Sequence, residues 1–310
     1  MKSSNIGGQA VLEGVMMKNG EDYAVAVRKP DGEIEVKKDV YEGVVKCKFL
    51  TKTPFIRGVF NFIDSMVLGM KTLTYSAKFY EDEEEKVPLT KEEESKKKRK
   101  ESIIMGVTVT VSIVLAMGIF MVLPYFLISF ADDVIQSKAV LAALEGVIRM
   151  LIFIAYILMI SKMEDIKRVF MYHGAEHKCI NCIEHGLALN VENVRKSSKQ
   201  HKRCGTSFLL FVMIVSCVML FFIRSDSQLV KVGLRIGLIP VIAGISYELI
   251  KWAGNSENPI VNLLSKPGLW LQNLTTKEPD DDMIEVAIQS VEAVFDWKTY
   301  QKETYGVSEK

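Results

Sequence analysis

His173-Gly-Ala-Glu176-His177 places two imidazoles and a carboxylate within five residues. On a helix the two histidines lie four apart on one face, where both can chelate a single metal ion. Glu176 beside them is placed to complete the coordination or to act as a general base on a metal-activated water. The order H-x-x-E-H is that of inverted-motif zinc enzymes, so zinc is the expected ion. The plain alternative is two surface histidines on a solvated helix, satisfied by water.

A third protein ligand has four candidates, Glu248, Glu184, His201 and Cys204. Three such ligands would leave one coordination position open. Arg203 is a candidate for holding an anionic substrate group, because guanidinium pairs well with phosphate and carboxylate. Cys179-x-x-Cys182 with His185 is a second possible cluster, but one C-x-x-C without a partner pair also reads as a redox pair or as bystanders.

These residues must be positioned by membrane helices. Ile103 to Phe130 and Thr206 to Ile223 carry no charge, and about 20 apolar residues span a bilayer core. Ala139 to Ile160, interrupted by Glu145 and Arg149, and Val232 to Ile250, with Arg235 and Glu248, are two further candidates. The expected fold is therefore an α-helical integral membrane protein of about four spans. Lys96 to Lys100 precede the first span, and residues 161–205 hold many Lys and Arg. The positive-inside rule puts both termini and that central loop in the cytoplasm. Spans three and four then share the cytoplasmic boundary, so Cys204, Glu248 and the histidines converge on one rim.

Four of five cysteines fall on the cytoplasmic side, where structural disulfides are not expected. The N-terminus lacks an apolar core segment, so no cleavable signal peptide is expected. Basic and acidic residues number 39 and 38, which gives no reason to expect nucleic acid as a partner. Membrane lipids are the expected surroundings.

Residues 1–80 read as a small α+β cytoplasmic region. Tyr23 to Val27 and Glu33 to Lys37 alternate around the turn signal Pro30-Asp31-Gly32, which predicts a β-hairpin. After Pro54 the pattern turns helical, with Arg57, Asp64, Lys71 and Lys78 every seven residues on one narrow face. That helix is expected in the membrane interface or in a soluble core. Residues 81–101 read as a disordered charged linker, and 102–253 as the membrane domain. Residues 254–310 read as amphipathic helices, one from Pro259 to Leu274 and one starting after Pro279. Glu145, Arg149 and Arg235 read as an ion-pair network within the spans, or as part of a transport path. Gly233 and Gly237 allow close helix packing, and Pro240 is a candidate kink.

Gly8-Gln-Ala-Val-Leu-Glu-Gly-Val-Met-Met17, Tyr172-His-Gly-Ala-Glu-His-Lys178 and Arg203-Cys-Gly-Thr-Ser-Phe208 resemble the YqhQ-type bacterial membrane proteins. The resemblance extends through Thr275-Thr276 and Glu278-Pro279 over nearly the whole chain. It implies a family of unknown function, described as a predicted metal-dependent enzyme. It adds Glu13, inside the first motif, as a further candidate metal ligand whose flanking glycines let backbone approach a ligand closely. A tight structural turn is the competing reading of Glu13.

Three functions follow as expectations. A metal-dependent hydrolase at the cytoplasmic membrane face would act on a lipid-linked or amphipathic substrate, with Glu176 and Arg203 as its catalytic residues. A transporter or metal-handling protein would use the same groups to bind a passing ion. A non-catalytic scaffold would close the site around a structural metal.

Overall fold

The computed structural model describes residues 3–46, 48–80, 91–131, 133–222, 228–256 and 258–306. In chain order the strands are β1 (Gly7–Val11), β2 (Gly14–Asn19), β3 (Asp22–Arg28) and β4 (Ile34–Val40). The helices begin with α1 (Lys48–Lys52), α2 (Ile56–Ala77), α3 (Lys91–Met117), α4 (Leu123–Ser129) and α5 (Lys138–Ile160), a π-helical turn at Gly118–Val122 joining α3 to α4. There follow α6 (Glu164–Glu184), α7 (Val191–Lys196), α8 (Gly205–Phe221), α9 (Gln228–Gly237) and α10 (Ile239–Asn255). The last are α11 (Pro259–Thr275), α12 (Asp281–Val294) and α13 (Trp297–Tyr305).

The chain forms two compact units. One comprises Met1–Tyr80, Ile157–Val215 and Ile239–Lys310, the other Glu81–Tyr156 and Ser216–Leu238. Arg99–Ser129, Lys138–Ile160 and Gly233–Gly254 are long and apolar enough to cross a membrane. The expected span at Thr206 to Ile223 appears as α8, apolar but only 17 residues long. At 1.5 Å per residue that is about 26 Å, short of a core of about 30 Å. Within Gly233–Gly254 the helix breaks at Leu238, two residues before Pro240, which has no N–H for the ladder.

The first unit is built on an antiparallel meander in the order β1-β2-β3-β4. The predicted hairpin is β3-β4, with Val25 opposite Lys37 and Gly32 (φ 88°) in its turn. The preceding hairpin was not anticipated, because β1 begins Gly7-Gly-Gln and β2 is apolar on both faces, so neither strand alternates. Val15, Met17, Ala24 and Ala26 pack on α6 and α12, while Val11, Met16, Tyr23, Val25 and Val27 cover Leu68 of α2. Burial on both faces accounts for the near-continuous apolar run. Helix α12 starts as expected, with the Asp280 carboxylate accepting from Met283 N.

The polar stripe of α2 faces the protein: Arg57 pairs with Glu248, Asp64 accepts from Val44 N and Tyr41, and Lys71 pairs with Asp39. Its outward side is apolar, with Phe62, Ile63, Met66, Val67 and Leu73 exposed. Close packing of α2 on α10 needs two glycines, since a Cβ on Gly58 would strike Tyr247 and one on Gly244 would strike the Phe55 carbonyl. In α11 the exposed side carries Ile260, Leu263 and Trp270.

In the second unit Glu145 accepts from Arg149 at 2.6 Å and bidentately from Arg235 at 2.7 and 2.8 Å. Arg149 also donates Nε–H to the Phe120 carbonyl at 2.9 Å. That carbonyl lies four residues before Pro124, which cannot donate to it, so the guanidinium replaces the missing helical hydrogen bond. The expected ion-pair network is thus also a repair of the proline position.

Residues 81–90, the start of the expected linker, lie outside the described residues, as do Cys47, Asp132, Arg224 and Asp226. From Lys91 the chain is helical, contrary to the expected disorder. The physical reason is legible in the composition: residues 91–105 are rich in the good helix formers Glu, Lys and Arg and hold no Gly or Pro.

Candidate metal centre

The centre lies in the first unit, where α6 runs buried from Tyr172 almost to its end. His173 and His177 project from one face, their ring centroids 4.4 Å apart. One ligand atom each from His173, His177 and Cys204 lies within 4.8 Å of the other two. His173 Nε2 is 3.2 Å from Cys204 Sγ. Two ligands of one tetrahedral zinc, with bonds of about 2.0 and 2.3 Å, stand roughly 3.5 Å apart. Two imidazoles and a thiol are a suitable donor set for such an ion, and the His173–Cys204 distance is close to that spacing.

Backbone carbonyls fix both rings. His173 Nδ1 donates to Thr275 O at 3.0 Å, and His177 Nδ1 to Lys199 O at 2.6 Å. A carbonyl only accepts, so each Nδ1 carries a proton and each Nε2 is the nitrogen left for a metal once its own proton is displaced, the orientation of metal-bound histidines.

The sequence elements that hold those carbonyls are specific. Gly174 lets residues 275–277 lie directly on α6, because a Cβ there would overlap the Lys277 carbonyl oxygen, and Lys277 N–H donates to Phe170 O at 2.8 Å. Lys178 donates to the Arg195 and Ser197 carbonyls, and Asn181 to those of Ser198 and Gln200. Gln272 clamps His201 like a backbone partner, accepting from its N–H at 2.8 Å and donating to its carbonyl at 2.7 Å. The chain is thereby delivered to Cys204 at the start of α8. Gly174→Ala is expected to cost about 1–3 kcal/mol through overpacking, read as a lower thermal-unfolding midpoint in detergent.

Electrostatics follow from this geometry. Burial alone would lower the His173 imidazole and raise the Cys204 thiol. Their mutual attraction, with His177 and Glu176 adding to it, outweighs burial: His173 rises to about 9 and Cys204 falls well below the ordinary thiol range. His177 is also raised, since Cys204 overcomes its burial. Without a metal the pair is a thiolate facing imidazolium, with the donor atoms already in place.

A cavity of about 100 Å³ opens on the cluster, lined by His173, Glu176, His177, His201, Cys204 and the backbone of Gly7 and Gly8. Glu176 Oε2 is 3.8 Å from His173 Nε2. Among the described residues that carboxylate accepts no hydrogen bond. Gly8 is required against it, because a Cβ there would approach Glu176 Cγ to 2.8 Å. A Cβ on Gly8 would also come within 2.7 Å of the Met16 carbonyl oxygen and of Met17 Sδ, so Gly8→Ala is expected to strain the β1–β2 pairing as well as displace Glu176, read as a lower thermal-unfolding midpoint in detergent together with a fall in any turnover.

The remaining candidates are placed differently. His201 lines the cavity with its ring centroid 5.8 Å from that of His177, and its Nε2 is 3.5 Å from Glu184 Oε2. Glu184 sits behind it as an anchor, accepting from Ser4 N at 2.7 Å, Ser4 Oγ at 2.8 Å and Arg203 Nη2 at 2.5 Å. Burial would raise its carboxyl, but His201 and Arg203 hold it down at about 2. Arg203 thus donates Nη2–H to Glu184 and also lines the cavity that opens on the cluster. Glu248 is taken by Arg57 and by Phe55 N–H, and Glu13 by Arg168 and the Tyr172 hydroxyl. The structure places neither in the cluster, because each carboxylate has a nearer guanidinium. Glu13 occupies the turn between β1 and β2 with φ 49°.

Cys179 lies in the apolar core, and the Cys182 thiol donates to the Ala188 carbonyl at 3.5 Å. Burial raises both thiols, Cys182 to about 11, so they stay protonated. Lys178, Asn181, Gln272 and Thr275 were missed as positioning residues. Lys178 and Thr275 stand within the motifs of the resemblance, the one signal that could have pointed to them.

Fold and site together define a largely helical protein with membrane-length apolar helices and a His/Cys cluster that could hold a metal ion. The chain belongs to the DUF1385 family of proteins of unknown function, whose pattern matches residues 53–297. It is 38% identical over 286 residues to a Bacillus subtilis (strain 168) protein titled "Uncharacterized protein YqhQ", covering 92% of this chain and 90% of that one. No solved structure matches it.

Proposed function

We propose that the protein is a membrane-embedded zinc protein acting as a hydrolase at the cytoplasmic face, on a lipid-linked or amphipathic substrate. One observation carries the reading: both imidazoles have Nδ1 locked on a carbonyl, His173 Nε2 is 3.2 Å from Cys204 Sγ, and one ligand atom of each of the three residues lies within 4.8 Å of the others. Thiolate with imidazole favours zinc over magnesium or calcium. Zinc bound there supplies a Lewis acid to a substrate oxygen. Glu176 faces the same cavity, accepts no hydrogen bond among the described residues, and is the proton acceptor in this reading. His201 also lines the cavity, its backbone held by Gln272 and its Nε2 3.5 Å from Glu184 Oε2. In this reading Thr206 to Ile223 is the third of four spans, and both termini lie in the cytoplasm with the basic loop 161–205. The outward apolar sides of α2 and α11 then lie in the membrane interface.

The test is zinc stoichiometry of the detergent-purified protein, with X-ray absorption to count ligands, followed by hydrolysis of chromogenic esters and phosphodiesters in mixed micelles. Zinc near one per chain with three protein ligands, and turnover lost in Glu176→Gln while zinc stays, supports the hydrolase. Four protein ligands would replace it with a structural site. Zinc absent from a folded wild-type protein would sink the metal centre.

The 3.2 Å contact of Cys204 Sγ with an oriented His173 favours one second reading, a cysteine nucleophile activated by histidine. In that case the protein is metal-free, and iodoacetamide alkylates Cys204 rapidly in the wild type and slowly in His173→Ala.

A further inference from the structure

The charge cluster of the second unit is unbalanced. Glu145 is its one carboxylate among the described residues, against the guanidiniums of Arg149 and Arg235. Both Glu145 oxygens are already used, Oε1 by the two arginines and Oε2 by Arg235. Arg235 Nε is buried and has no acceptor among the described residues. A net positive charge inside apolar helices is costly and draws an anion.

Next to it is a crevice of about 280 Å³, with walls from Val114, Met117, Met121, Val122 and Ile236 and with Arg235 as its one charged lining residue among the described residues. Tyr125 supports the guanidinium, which lies 4.7 Å from the ring centroid. A dry cavity of about 150 Å³ holds a benzene ring, so this crevice takes an alkyl chain of roughly ten carbons. An apolar channel ending at a surplus guanidinium matches one chemistry, an alkyl chain carrying an anionic head. We infer that this crevice binds an anionic phospholipid, its phosphate on Arg235 and the start of one acyl chain between α3 and α9. The site is separate from the His/Cys centre and does not depend on the hydrolase reading.

The experiment is native mass spectrometry of the delipidated full-length protein in detergent, titrated with phosphatidylglycerol and phosphatidylcholine of identical chains. Phosphatidylglycerol is expected to bind about tenfold more tightly. Arg235→Gln, which leaves Glu145 paired with Arg149, removes that preference, while Arg235→Lys keeps most of it. Met121→Trp fills the crevice with its charge intact and weakens binding of both lipids. Equal binding of the two lipids by the wild type overturns the proposal. So does a preference that survives in Arg235→Gln, which would place the lipid on other basic residues such as Lys96 to Lys100. If Arg235→Gln cannot be recovered folded, undiminished phosphatidylglycerol binding by Met121→Trp overturns it instead.

Discussion

Zinc bound at about one ion per chain is expected to fall to background in His173→Ala, His177→Ala and Cys204→Ser. Each change removes one of three donors whose atoms lie within 4.8 Å of one another. Structural zinc sites bind with about 10–16 kcal/mol from three or four ligands, so loss of one ligand should cost at least about a hundredfold in affinity. Cys179→Ser and Cys182→Ser should leave zinc content unchanged, because their thiols are protonated and packed in the core. That contrast separates a placed site from adventitious zinc on exposed thiols. Zinc retained at full stoichiometry in any of the first three variants would exclude that residue as a ligand.

The same site sets a pH dependence. With Cys204 as its neighbour, His173 titrates at about 9. Below that pH the metal-free ring is protonated, so zinc must displace a proton from it. Affinity should therefore rise with pH up to about 9, about tenfold per unit for each proton displaced. A calorimetric titration in two buffers of different ionisation enthalpy measures the proton release directly. An affinity that is flat between about pH 6 and 8 would show that neither ring exchanges a proton for the metal.

The His173/His177 pair was legible because a period of 3.6 fixes which residues share a helix face. Cys204 was legible only as one of four alternatives. The choice among them rests on contacts between residues far apart in the chain: Glu248 meets Arg57 191 residues away, Glu13 meets Arg168 155 away and Glu184 meets Arg203. Carboxylates go to the nearest guanidinium, and spacing along the chain does not reveal which that is. Strand β2 was hidden by its burial on both faces, and β1, Gly7-Gly-Gln-Ala-Val11, by its lack of apolar alternation. The glycines that matter, Gly8 and Gly174, were visible as residues but not as contacts. What each lets approach, the Glu176 side chain or the Lys277 carbonyl, depends on the folded neighbours.

Glu145→Ala is expected to be the most destabilising single change in the second unit. It leaves Arg149 and Arg235 facing each other with no carboxylate, and the Arg149 side chain is only 3% exposed. Breaking a buried pair by removing one partner costs about 3–5 kcal/mol, chiefly for the stranded charge. Polar contacts between membrane helices average only about 0.6 kcal/mol, so two mechanisms predict different sizes. If the stranded charge dominates, the unfolding midpoint in detergent drops sharply in Glu145→Ala and recovers in part in Glu145→Ala/Arg235→Ala, which removes a cation as well. If the lost hydrogen bonds dominate, the double variant is no more stable than the single one. Partial rescue is the expected outcome, because Arg149 keeps its acceptor at the Phe120 carbonyl while Arg235 loses both its carboxylate contacts. Arg149→Ala should not rescue to the same extent, since it also orphans that carbonyl, which Pro124 cannot satisfy.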